Sequence, residues 1–151
     1  MEQSLKSKTQ LRIFFMLLLC FIFFTATSQN RHVIDSLQLR LKSDLNDSDR
    51  VLALGQLGWE VIYDDLQKGL DLSMQAKGLA ERIGYKNGLC RALNCIGAIY
   101  TDLGDYPKAL EAHLQQLELA KQMGSSSSLA VAYLNTSRVY SLLLLHAALM
   151  I

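Results

Sequence analysis

The sequence predicts an all-α solenoid, a stack of helix hairpins, and three observations carry that reading. Leu89, Leu93, Ile96, Tyr100 and Leu103 recur forty residues on as Leu129, Tyr133, Thr136, Tyr140 and Leu143. The stretches 69–84 and 109–124 keep the same offset without a gap, and both end on glycine. Apolar residues advance in steps of three and four, the spacing of one helix face. Self-similarity at about 20–50 residues marks repeat architectures, in which one unit cannot bury its apolar face alone and stacks on a neighbour. Such a molecule is built to present a surface.

Composition sets the outer limits. A chain of 151 residues suits one compact domain. Half of its residues are hydrophobic and only one is proline, which excludes a largely disordered chain. With 15 basic and 14 acidic side chains it has no excess of positive charge, so nucleic acid is not an expected partner.

The first 28 residues read as a secretory signal peptide. Lys6, Lys8 and Arg12 form a cationic start, residues 13–24 an apolar run, and Ala26 and Ser28 place small residues where a signal peptidase reads. The run is about a dozen residues, short of the ~20 that span a bilayer. Export to the periplasm or cell envelope follows, with mature protein starting near Gln29; an uncleaved signal would instead anchor the chain to the membrane. Three basic residues and one acidic residue lie in this stretch, so the remainder carries a net charge of −1.

Residues 29–46 hold a short amphipathic helix, through Ile34, Leu37 and Leu41, and a polar linker. The first unit, 47–84, opens with the cap-rich stretch 46–49. Its first helix, about 48–62, carries Val51, Leu54, Leu57, Gly58 and Val61 on one face. Asp64 and Asp65 break that helix, and a second runs through Leu66, Leu70, Met74 and Ile83 to Gly84. The second unit, 85–124, has its first helix over 89–103. There Gly104 is a stop and Pro107 a start, because a first-turn N–H has no helical partner to lose. Its second helix runs from Pro107 to Met123 with Leu110, Leu114 and Leu117 inward, and Gly124 ends it. Ser125–Ser128 form a short connection that caps a third helix from about 128. The partial third unit is 125–151.

The segment 92–110, with Gly97, Tyr100, Gly104, Pro107 and Ala109, resembles a tetratricopeptide repeat of the longer forty-residue bacterial kind. The first unit matches more loosely through Leu54, Leu57, Gly58, Gly69 and Ala76, with one residue fewer at the turn. The third matches through Ala132, Asn135, Ser137 and Tyr140. The resemblance covers about 47–143 and implies a right-handed solenoid of two full units and a partial third. It implies that Gly58 and Gly69, then Gly97 and Ala109, are small so that paired helices approach closely. Interior glycine costs about 0.8–1 kcal/mol against alanine, so such positions need a packing reason.

Candidate chemistry is sparse, and no catalytic residue, metal site or cofactor is expected. His32, His113 and His146 lie on separate elements, and His113 falls on the inner side of its helix. There is no CxxC, no ligand-spaced histidine pair and no phosphate-binding glycine loop. Cys90 and Cys95, five apart on one helix, point about 140° apart and cannot bridge to each other. Asp47 with Asp49 and Asp64 with Asp65 are acidic pairs in turns, which helix capping and dipole compensation explain without a metal.

What the resemblance implies instead is a protein- or peptide-binding scaffold whose first helices line a groove. The groove positions carried over are Leu52, Gly55 and Trp59, then Arg91, Asn94, Ala98 and Thr101, then Leu134 and Arg138. Trp59, Arg91, Asn94, Thr101 and Arg138 are the expected partner contacts, with Trp59 the anchor, since tryptophan and arginine are enriched in binding hot spots. The alternative is the amino-terminal sensor region of a larger membrane signalling protein, a histidine kinase or transcription regulator. Where the turn signal should recur, the chain instead reads Leu144-Leu145-His146-Ala147-Ala148-Leu149. That apolar end is expected to be aberrant, as in a truncated or frame-shifted product, and to promote self-association.

Overall fold

The computed structural model describes Arg12, Phe14, Met16 and residues 31–149. The expected signal segment therefore lies, but for three residues, outside the described residues. The chain divides into two compact units, Met1–Ser36 and Leu37–Ile151. Residues 31–42 are helical (α1), and Leu37 is buried. The second unit continues through α2 (Asp47–Val61), α3 (Leu66–Ile83), α4 (Lys86–Asp102), α5 (Tyr106–Met123) and α6 (Ser126–Leu149). The described residues contain no strand, and the fold class is all-α.

Local chemistry sets the helix ends. Asn46 caps α2, its side chain accepting from the Asp49 N–H at 2.9 Å. Asp65 does the same for α3 through Lys68, and Asp105 for α5, also through Lys108. Each cap satisfies one of the N–H groups a helix start leaves without a partner. At the other end α3 and α5 stop in the same way, forty residues apart. Gly84 and Gly124 take left-handed backbone at φ 67° and 63°, a conformation that glycine adopts without a Cβ penalty. The turn between α2 and α3 contains no glycine and uses an Asp65 N–H to Val61 carbonyl bond of 2.8 Å instead.

One expectation needs correction here. The serines do not form a four-residue connector, because α6 begins at Ser126 and only Gly124 and Ser125 stand between the helices. The Ser125 hydroxyl accepts from the Ser128 N–H, which makes it the cap of α6. The apolar stretch after Leu142 continues the third helix. With no glycine or proline to stop it, α6 runs on for 24 residues.

Consecutive helices pack in order from α2 to α6, and the alternate helices α2, α4 and α6 also meet. No such approach joins α3 to α5, so the α2–α4–α6 side is the closed, inner one. Ile62, Leu70, Cys95, Ile96, Ile99 and Ala112 form a core shared by the turn after α2 and by α3, α4 and α5. A second cluster, Val51, Leu79 and Ala80, receives Tyr85 and Leu89.

Glycine sets how near the helices come. A Cβ on Gly69 would stand 3.0 Å from the Gly58 carbonyl oxygen and 2.7 Å from Ile62 Cγ2, while one on Gly58 would stand 3.1 Å from the Gly69 oxygen. The two backbones touch at this crossing. Gly88, which the sequence reading passed over, is equally tight against Val51 and Tyr85. Gly97 differs from expectation in its neighbour. A Cβ there meets the His113 ring at 2.5–2.7 Å, one turn beyond Ala109.

Candidate binding groove

The inner side carries a groove of about 490 Å³, walled by α2, α4 and α6 with Gln116 of α5 also lining it. Gly55, Gln56, Trp59 and Glu60 form one wall, Cys90, Arg91, Asn94 and Cys95 the middle, and Ser127, Ser128 and Val131 the other wall. Trp59 is 40% exposed, enough to offer its ring while keeping most of it packed. The groove has one cation and one carboxylate among its lining residues, and its other polar groups are mainly amides and hydroxyls. That chemistry suits an uncharged backbone better than a highly charged ligand.

Helix period explains why these side chains converge. Gly55 and Trp59 are four apart on α2, and Arg91 and Asn94 three apart on α4, so each pair shares a helix face. The Asn135 side-chain amide of α6 donates to Asn94 Oδ1 at 2.6 Å, tying α4 to α6 beside the groove.

The structure sorts the sequence-derived positions. Trp59, Arg91 and Asn94 come together with Gly55, whereas Leu52, Ala98, Thr101, Leu134 and Arg138 do not line the groove. Thr101 is only 7% exposed, and its hydroxyl donates to the Gly97 carbonyl at 2.8 Å. It is spent on its own helix. Arg138 lies 3.8 Å from Asp102 in an exposed ion pair between α6 and α4. Such pairs contribute little, a median of about 0–1 kcal/mol. Gln56, Gln116 and Val131 were missed. Gln56 precedes Trp59 by three residues, so the helix spacing was a usable signal for it, while Gln116 comes from a helix not expected to contribute.

Beneath the groove the thiols are chemically quiet. Burial pushes the Cys90 pKa up, with hydrogen bonding by Ser128 and Gln116 opposing it in part. Burial also raises Cys95, opposed by Ser73. Both cysteines are free and buried, and such thiols make poor nucleophiles. His113 is buried, with Nδ1 3.1 Å from Gln116 Oε1; with the amide so oriented, Nδ1 carries the proton. Among the described residues no three His, Cys, Asp or Glu side chains gather as metal ligands would, and no helix is long and apolar enough to cross a membrane.

Burial lowers the His113 pKa below 6.5, against an opposing effect of Gln116. The unfolded chain therefore binds more protons than the folded one just below pH 6.5, and stability rises with pH through that window. We expect the melting temperature to be level above about pH 6.5 and to fall on acidification from there toward the lowered folded pKa. His113→Gln should flatten the part of that profile just below pH 6.5. An identical slope in the variant would show that another group carries it.

No protein-family model matches this chain, and a search of curated proteins finds no relative.

Proposed function

We propose that this chain is a tetratricopeptide-type repeat scaffold that binds an extended protein segment in the α2–α4–α6 groove and performs no catalysis. The observation that carries the reading is Trp59, half-exposed in the wall of a groove that Arg91 and Asn94 also line. A rigid aromatic beside amide groups offers an apolar anchor together with donors and acceptors for a peptide backbone. The forty-residue period and the glycine contacts support the repeat-family part of the reading.

The test is selection of peptides from a random display library on the full chain. Enriched peptides should lose at least tenfold in affinity on Trp59→Ala and several-fold on Arg91→Ala. They should bind unchanged to Gly78→Ala, whose site on α3 is open to solvent. Enrichment indifferent to Trp59→Ala would place binding elsewhere.

Export is the second part of the proposal and rests on the pattern of residues 1–28 alone. Amino-terminal sequencing of the native protein should find a start at or near Gln29. A protein that keeps Met1 and fractionates with membranes would be the anchored form instead.

A further inference from the structure

Two amide side chains at the groove are turned the same way. An amide has one acceptor oxygen and two N–H donors, and either end can face a ligand. At Gln116 the oxygen is already taken: Oε1 lies 3.1 Å from His113 Nδ1, and both side chains are 2% exposed. An oxygen can only accept, so Nδ1 carries the proton and the Nε2 end of the amide faces away from His113. That end meets Cys90 in the groove, where Gln116 opposes the rise in the thiol pKa as only a donor does. A thiol sulfur is a weak acceptor and takes one N–H, which leaves the second N–H of Gln116 for a ligand.

Asn94 repeats the arrangement on α4. Its Oδ1 accepts from Asn135 Nδ2 at 2.6 Å, so its own amide nitrogen is the end left over. Arg91 and Trp59, which line the same groove, can only donate. The groove thus offers N–H groups where its two amides could equally have offered oxygen. Glu60 offsets the charge of Arg91 there, which favours a neutral acceptor over an anion.

We propose that Gln116 reads a main-chain carbonyl of the bound segment, and that His113 is the positioning residue that turns the Gln116 N–H toward it. This rests on the groove reading above and adds the polarity of the group recognised. His113 acts through its Nδ1 proton. Without that proton nothing on α5 distinguishes the two ends of the Gln116 amide, and a turned amide would set oxygen against the ligand carbonyl. A buried polar group left so is costly, which is what makes the contact selective.

The test uses the full chain and a selected peptide whose binding Trp59→Ala weakens. Each linkage of the peptide in turn is made a thioamide, which keeps the N–H and replaces the carbonyl oxygen by sulfur, a poor acceptor. At least one such change should weaken binding to the unaltered chain by about five- to tenfold, the worth of one hydrogen bond. Gln116→Met keeps the volume without an N–H; it should bind the all-oxygen peptide more weakly by a similar factor and be indifferent to sulfur at that linkage. His113→Leu should lose the same sensitivity. His113→Asn should keep it, because its amide nitrogen can stand where Nδ1 does, and a role in packing alone would not separate these two variants. Circular dichroism should show the parent helix signal in all three. Tolerance of sulfur at every linkage by the unaltered chain would overturn the proposal without recourse to any variant. So would sensitive linkages that all stay as sensitive in Gln116→Met. Sensitivity lost in Gln116→Met but kept in His113→Leu would overturn the role of His113. If no selected peptide depends on Trp59, the groove reading itself falls, and this inference with it.

Discussion

Gly69→Val should lower stability by about 3 kcal/mol, the upper part of the usual overpacking range. A Cβ at this site meets the Gly58 carbonyl oxygen at 3.0 Å, and backbone cannot turn aside as a side chain can. Ile62 Cγ2 at 2.7 Å blocks the other direction, and Ile62 is itself buried in the core shared with Ile99. The helices α2 and α3 must separate, and the loss spreads beyond one contact. For a domain of this size the melting temperature should fall by roughly 10 °C. Gly78→Ala is the natural control, because Gly78 lies within the same helix with nothing near its Cβ position. It should raise stability by about 0.5–1 kcal/mol, since only helix propensity changes. Thermal melts of the two variants check both signs.

Gly97→Leu should cost a similar ~3 kcal/mol, for a different reason. Three atoms of the His113 ring lie 2.5–2.7 Å from the position its Cβ would take. The ring is buried and hydrogen-bonded to Gln116, so it has little freedom to leave. In a His113→Ala background the same leucine should cost much less, because the alanine frees the volume it needs. The two changes should therefore be non-additive by about 1–3 kcal/mol, as expected for residues in contact. Additivity in denaturant unfolding would place the leucine against some other neighbour.

These two sites also show what was legible in the sequence. The stops at Gly84, Gly104 and Gly124 and the caps at Asp65 and Asp105 depend on short-range chemistry, so the helices from α2 to α5 could be read directly. The pairing of Gly58 with Gly69 was legible too, as small residues on both sides of one turn. That Gly97 meets His113 instead of Ala109 was not, because the two share one face of α5 and only the crossing geometry chooses between them. At Ser126–Ser128 the residue types suggested a loop, yet Ser125 caps them as the first turn of α6. The groove was half legible. Trp59, Arg91 and Asn94 follow from helix spacing within a unit, but Thr101 turns its hydroxyl back to Gly97, and Arg138 pairs with Asp102. A backbone-directed hydrogen bond and an ion pair between helices leave no mark on the period.

The central claim, a ligand held against Trp59 in the inner groove, has a direct optical test, since the chain has one tryptophan. The measurement is tryptophan emission and acrylamide quenching of the full chain, with and without a saturating selected peptide that lacks tryptophan. Binding should shift the emission to the blue and reduce quenching severalfold, because the exposed part of the ring becomes covered. Saturated binding with unchanged emission and unchanged quenching would contradict the claim.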